Sequence, residues 1–421
     1  MLFVVCSILS STKKGVIIVN KLTQSLVLAG LVSIPASAMA DNNASIPTFS
    51  QIMDASGISL TGYLDVAYNN MNSTGQFVTG PVNSHIFDTP NGATSPTKDY
   101  SQFNFQQFAV IVAKQPKEGF GGLVNLTTGQ DAIEAASYGL GGGNNNHVFD
   151  LTQAYGSYAT GPLTVIAGKF ATLAGAELIT SPSNSNYTHA WMFGWGPYTH
   201  TGVRATYVAS DKVTLIAGIN NGFDQVSSAS SGKTGEFGID IMPSSMFSLA
   251  TTYYIGKGML NANNVANIGT GNYLDIVGTI NATDKLNFVF DYANASQDGV
   301  AVPGAAGTIG KAKWDSLALY ANYHFSDRWR ISYRNENFND KDGYRSGLLY
   351  DGINVVGGPI GTPAGQRLKS NTLTLGFAPV KSFELRAEAR WDKSNVNSFL
   401  QTNGTGKSTQ TTYALDAVYQ F

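Results

Sequence analysis

The chain has 421 residues, with 26 Lys+Arg, 28 Asp+Glu, 46 Gly and one Cys. Charged residues make up 13% and mean hydropathy is −0.06, too polar for a bundle of membrane helices, while 43% hydrophobic content is too high for a disordered chain. A formal charge of −2 and a pI of about 6.2 give no electrostatic footprint for nucleic acid, and low charge with abundant Gly, Tyr (20) and Phe (22) is what a closed β-barrel in a membrane would account for.

Residues 1–40 contain no acid. Lys13, Lys14 and Lys21 precede the apolar run Leu26–Ile34, and Ala38-Met39-Ala40 is a small-x-small cleavage pattern. This reads as a signal peptide cut after Ala40, with an upstream extension and a true start near Val19. The apolar run is shorter than the ~20 residues of a spanning helix. Cleavage removes three lysines, Cys6 and no acid, so the formal charge moves from −2 to −5 and residues 41–421 lack cysteine. Disulfides and thiolate metal sites are then excluded. Residues 41–56 form a short periplasmic segment in which Ser45 and Pro47 suit the start of a helix over 46–55.

From residue 57 onward, period-2 alternation dominates. Sixteen strands are expected over 58–70, 101–114, 121–129, 148–158, 163–170, 201–209, 213–220, 234–242, 247–255, 272–281, 286–294, 313–325, 329–338, 368–378, 383–392 and 410–421. In Phe383–Asp392 one face reads Phe, Leu, Ala, Ala, Trp and the other Glu, Arg, Glu, Arg, Asp. Short connections such as 115–120, 159–162 and 379–382 alternate with long ones such as 71–100, 130–147, 171–200, 295–312 and 339–367. A soluble sandwich has no reason for that asymmetry. A transmembrane antiparallel β-barrel has one, with short periplasmic turns and long extracellular loops. Residues 57–421 are thus one all-β domain in the bacterial outer membrane. Tyr413, Leu415, Ala417, Tyr419 and Phe421 share one face of the last strand. Tyr419 and the terminal Phe421 resemble the signal read by the barrel-assembly machinery.

The segments Gly57–Asn69 (GISLTGYLDVAYN), Phe103–Ala132, Asp150–Tyr158 (DLTQAYGSY), Ala167–Glu177 (AGKFATLAGAE), Asn186–Tyr207 and Ile219–Asp224 (INNGFD) resemble the β-barrel porin-2, or OmpL-like, family. The second half of the chain matches it only in alternation and the terminal Phe. The resemblance implies an outer-membrane barrel of porin type and carries over no functional residue.

Parity places Asp65, Arg204, Glu236, Asp240, Asp275, Asp291, Arg330, Arg334, Glu336, Glu384, Arg386, Glu388, Arg390 and Asp416 opposite apolar neighbours. Arg or Lys facing lipid costs ~2–4 kcal/mol at mid-bilayer, so these belong to the lumen wall. Over 163–170 both faces are mixed, and Lys169 is placed inward by its charge alone. The wall reads either as a water-filled pore or as a solid core of paired charges, and sixteen strands are wide enough for the pore. The loop 171–200 carries Tyr187, Trp191, Phe193, Trp195 and Tyr198, too apolar to stand in water. Folded inward it would form a constriction, with Glu177 facing Lys169 and Arg204 and a transverse field between them; local salt bridges are the alternative.

Other chemistry is weak. Gly404–Ser408 imitates the end of a P-loop without its first Gly, Asp340–Gly343 is a fragment of a calcium loop, and His85, His147, His189, His200 and His324 are scattered. No metal, cofactor or catalytic residue is assigned. The expected function is passive diffusion of small hydrophilic solutes. Expected partners are outer-membrane lipid and lipopolysaccharide, with a homotrimer left open. A barrel enzyme of lipase or protease type and a structural or adhesive barrel remain the alternatives.

Overall fold

In the computed structural model the structure describes residues 53, 55–72, 76–77, 80–83, 100–140, 149–228, 232–258, 269–301, 309–345, 365–400 and 405–421. The signal peptide, its cleavage residues Ala38 and Ala40, most of the 46–55 helix, His85 and His147 lie outside them.

Sixteen strands close into one antiparallel barrel. They are β1 (Ser59–Met71), β2 (Tyr100–Lys114), β3 (Gly119–Thr128), β4 (Phe149–Thr160), β5 (Leu163–Ala171), β6 (Thr199–Val208), β7 (Val213–Asn220), β8 (Thr234–Ser244), β9 (Phe247–Gly256), β10 (Gly271–Asn281), β11 (Leu286–Ala301), β12 (Ile309–His324), β13 (Trp329–Asp340), β14 (Gln366–Val380), β15 (Phe383–Ser394) and β16 (Thr409–Gln420). Each pairs with its sequence neighbours, and β16 closes on β1, with Tyr63 opposite Gln420 and Met71 opposite Thr412. Closure leaves the wall no open edge, which hydrocarbon would penalise.

Alternation decides which face each residue takes. In β13, Ser332, Arg334, Glu336, Phe338 and Asp340 are buried, while Tyr333 and Trp329 are exposed. In β16, Ala414, Asp416 and Val418 point in, and Tyr413, Leu415 and Tyr419 point out to the lipid side. Phe421 seals the seam. Its backbone exchanges hydrogen bonds with Gly62 at 2.9 and 3.0 Å, and its ring lies where a Cβ on residue 62 would stand, 2.5 Å away. Glycine is required there because the ring and the neighbouring strand fill the space.

One boundary differs markedly from expectation. The alternation predicts β11 and β12 over 286–294 and 313–325 with a long loop between, but the hairpin continues to Ala301 and restarts at Ile309. The ladder extends past a bulge between Asp298 and Val300. Ala295 and Gln297 keep the small or polar inward pattern going. A separate small sheet joins the short strands Gln76–Phe77, Gly80–Asn83, Phe399–Leu400 and Gly406–Lys407.

Candidate functional site

The connection between β5 and β6 lies inside the barrel. Its sequence explains why. It carries a string of aromatics, and Tyr187, Trp191, Met192 and Trp195 are all buried. A single 3₁₀ turn (Ser181–Ser183) and α2 (Trp191–Trp195; α1 is Gln130–Ala135 in the loop after β3) are its only regular elements. A few further backbone groups are paired within the loop, as where Asn184 accepts from Leu178 N at 2.9 Å and donates to Leu178 O at 2.7 Å, and the wall supplies partners for many of the others.

Wall carboxylates accept the loop's N–H groups. Asp275 accepts from Gly175 at 2.6 Å and Asp291 from Ala176 at 2.5 Å. Glu388 accepts from the backbones of Tyr187 and Thr188 at 2.7 and 3.0 Å. Glu336 takes Trp191 N and Met192 N at 2.7 Å each, which places a negative charge at the start of α2. Wall cations donate to the loop's carbonyls. Arg330 reaches Ser185 O at 2.5 Å, Arg334 reaches Thr188 O, and Arg390 reaches His189 O at 2.6 Å. Arg386 reaches Ser181 O and Asn184 O at 3.3 and 3.2 Å. Arg345, just after β13, donates to Trp195 O at 2.8 Å, at the end of α2. Charge-assisted bonds of this kind are the strong class, and here they hold the loop's backbone together with the side chains of Ser181, Thr188 and Trp191.

The wall charges are also paired among themselves. Arg386 bridges Asp416 and Asp65, Arg390 meets Asp392 at 3.0 Å, and Arg330 meets Glu384 at 2.7 Å. Arg334, Glu336 and Arg390 have no solvent exposure. They sit beneath the loop and do not face an open aqueous pore, because the loop's unpaired backbone occupies them.

The expected opposition of Glu177 to Lys169 and Arg204 is not what the structure contains. Glu177 pairs with Arg334 at 2.6 Å and caps Ala190 N at 2.7 Å. Burial works against its charge, but Arg334 and the hydrogen bonds outweigh it and hold the carboxyl below its usual range. Lys169 pairs with Asp150 on the adjacent strand at 3.1 Å. Arg204 is bound to Glu236 and lies over the Phe170 ring, 4.3 Å from its centroid. Lys169 thus finds its partner one strand away and Arg204 two strands away. Parity gives the face but not that pairing.

His189 of the loop and His200 of β6 are structural. His189 stacks on Phe193 with centroids 4.2 Å apart, its Nε2 3.1 Å from Leu178 O, and burial lowers its pKa to about 4. His200 is fully buried between Gly222 O and the Tyr254 ring. At the loop's return, Asp224 accepts from Tyr198 N and Thr199 N at 3.0 and 2.7 Å, and burial raises its pKa to about 7.

On the β2–β4 side the loop meets the wall across a cavity of about 60 Å³, enough for on the order of four to six waters. Its wall side is Ile111, Leu123, Asn125, Thr152, Gln153 and Tyr155. Its loop side includes Glu177, Leu178, Ile179, Phe193 and Tyr198. The wall residues here carry no formal charge. Reading the lumen by its charges missed them, although the alternation of β2 and β3 places Ile111, Leu123 and Asn125 inward.

A sixteen-strand closed barrel with an apolar exterior and an inward loop between its fifth and sixth strands defines an outer-membrane channel of porin type. Residues 57–421 match the family described as "Putative beta-barrel porin-2, OmpL-like", and the chain belongs to that family. It is a porin of the bacterial outer membrane. No curated protein matches it by sequence. Among solved structures it is similar to the outer-membrane channel DcaP of Acinetobacter baumannii, at 13% identity and a TM-score of 0.54, covering 86% of this chain and 97% of that one. It is also similar to the anion-selective porin of Comamonas acidovorans, at 9% identity and a TM-score of 0.56, covering 86% and 99%. A third likeness is to the trimer form of OmpT from Vibrio cholerae, at 9% identity and a TM-score of 0.50, covering 86% and 99%. At these identities the likeness concerns the fold.

Proposed function

We propose that the protein is a narrow, non-catalytic diffusion channel in which small hydrophilic solutes pass between the inward loop and the β2–β4 wall. The observation that carries this reading is the asymmetry of the loop's attachment. Charged groups of β10, β11, β13 and β15 bind it, while a cavity separates it from Ile111, Leu123, Asn125 and Tyr155. Glu177, Lys169 and Arg204 then act through paired charges, so ion selectivity is modest and size exclusion dominates. The buried, structurally engaged His189 and His200 argue against the enzyme alternative. A homotrimer belongs to this reading, supported by the trimer form among the similar folds. Single-channel recording in planar bilayers tests it, together with liposome swelling in sugars of graded size. We expect small discrete conductance steps and a steep fall in swelling from trioses to disaccharides. Absence of steps, or swelling independent of solute size, would overturn it.

A further inference from the structure

On the outside of the barrel, at its long-loop end, β12–β15 carry a run of cations. Lys311 and Lys313 in β12, Arg367 and Lys369 in β14 and Lys393 in β15 are exposed. They alternate with buried lumen residues such as Ala312, Leu368, Ser370 and Asp392, so they stand on the outer face. Register sets Lys369 directly opposite Lys393, and also opposite Asn337 on its other side, with Arg367 opposite Asn339. Like charges directly opposite on paired strands repel. Among the described residues, ion pairs on this face join Lys311 to Asp298 and Lys341 to Asp315, and none involves Arg367, Lys369 or Lys393.

The level of these cations is informative. Tyr333, Trp391 and Tyr413 are exposed on the same outer face. Such aromatic residues form the girdle where hydrocarbon ends. Lys393 is one outward position beyond Trp391, at the height of lipid headgroups. Neutral amides accompany the charges: Asn335 bonds Asn371 at 2.9 Å, Tyr333 bonds Asn371 at 2.6 Å, and Asn337 is exposed beside Lys369.

We infer that this patch is a binding site for a phosphorylated glycolipid headgroup of the outer leaflet. Phosphate relieves the repulsion of Lys369 and Lys393 and engages Arg367, and the asparagine amides match sugar hydroxyls. Cations at a membrane surface contribute about 1 kcal/mol each toward anionic lipid, so each should be worth roughly five-fold in affinity.

The test measures binding of bisphosphorylated lipid A to the purified protein in a neutral detergent. Lys393→Gln should weaken binding by roughly five-fold, and Arg367→Gln/Lys369→Gln/Lys393→Gln by roughly a hundred-fold. Conductance and heat-modifiability should stay unchanged, which verifies folding; if the triple variant does not fold, Lys393→Gln alone decides. Lys233→Gln, at the rim beyond β7 where Lys233 is bonded to Asn221, should leave binding intact. Fully dephosphorylated lipid A and phosphatidylglycerol should both bind far more weakly than the bisphosphorylated form, and inorganic phosphate should not displace it. Equal binding by wild type and Lys393→Gln would overturn the site. Equal binding of phosphatidylglycerol or the dephosphorylated lipid, or displacement by inorganic phosphate, would overturn its assignment to a phosphorylated glycolipid.

Discussion

The two sides of the lumen treat the same loop in opposite ways. Along β10, β11, β13 and β15, acids and arginines bond its backbone, and all of them but Arg330 are buried. Along β2–β4 the contacts are neutral amides, with Gln107 donating to Ile179 O at 2.8 Å and Gln106 to the Tyr187 hydroxyl, and the loop faces Ile111, Leu123, Asn125 and Tyr155 across a cavity of about 60 Å³. The difference teaches that abundant lumen charge does not by itself mean a charged pore. An unstructured segment inside a barrel presents many N–H and C=O groups away from water, and each needs a partner. A dense set of carboxylates and guanidinia meets that need on one side, and the cavity lies on the side with few charges.

The largest expected effect comes from breaking the dense side. Arg386→Met leaves Asp416 and Asp65 without their shared partner and frees the carbonyls of Ser181 and Asn184. Removing one member of a buried ion cluster costs about 3–5 kcal/mol. We expect a lower unfolding temperature of the barrel and a several-fold larger conductance, because the loop loosens. On the sparse side, Asn125→Ala, which removes an amide whose one bond among the described residues is the 3.5 Å contact from Thr127, should alter conductance with a much smaller loss of unfolding temperature. Equal thermal losses from the two variants would remove the distinction between the sides.

A smaller effect is expected from Glu336→Gln. The amide keeps one acceptor oxygen but sets an N–H₂ against one of the two donors, Trp191 N or Met192 N. An unsatisfied buried polar group costs about 1–3 kcal/mol. The start of α2 should loosen, seen as added noise in the open-channel current and as faster amide exchange over Trp191–Trp195. Unchanged exchange there would show that Glu336 does not hold the loop.

How much of this was legible in the sequence follows from the same comparison. The strands were readable because alternation is imposed residue by residue: Phe383–Asp392 can face lipid and lumen in only one way. The inward aromatics of the β5–β6 loop were readable because Trp191 and Trp195 have no other place to be buried. The partners of the charges were not readable. Arg334 meets Glu177 across 157 positions of sequence, and nothing in β13 names a loop residue. Arg345 as the partner of Trp195 O, and the uncharged Ile111–Leu123–Asn125 wall, carry no signal that a search for charges detects.

Glu177 links the two sides, since it is bound to Arg334 yet lines the cavity. Glu177→Gln leaves Arg334 with excess positive charge next to the passage. Anion preference should rise, read as a shift in reversal potential across a salt gradient. Asp342→Asn, in the turn after β13, should give little shift, because exposed charges are screened over ~10 Å at 0.1 M salt. Equal shifts from the two variants would place the selective point away from the loop.

The smallest effect is the pH response of the packed loop. His189 has its pKa lowered to about 4 by burial, against an ordinary 6.5. The packed loop therefore binds fewer protons than the released loop between those values. Acidification from pH 6.5 toward 4 shifts the balance toward release, and the stabilisation is fully present above 6.5. Glu177 acts in the same direction at lower pH, since its carboxyl is held below the usual range and its contribution is lost as it protonates. Asp224 acts the other way. Burial raises its pKa to about 7, so its neutral form favours the packed state as pH falls below 7, and charging it as pH rises through 7 weakens the loop's return. These opposed slopes make the net response of the wild type shallow. His189→Gln removes one of them and keeps a polar side chain near Leu178 O. Between pH 6.5 and 4 the wild type should gain conductance relative to this variant. The separation should vanish above pH 7, where His189 is neutral in both states. Identical conductance–pH curves for the two proteins would show that His189 does not report on the loop's packing.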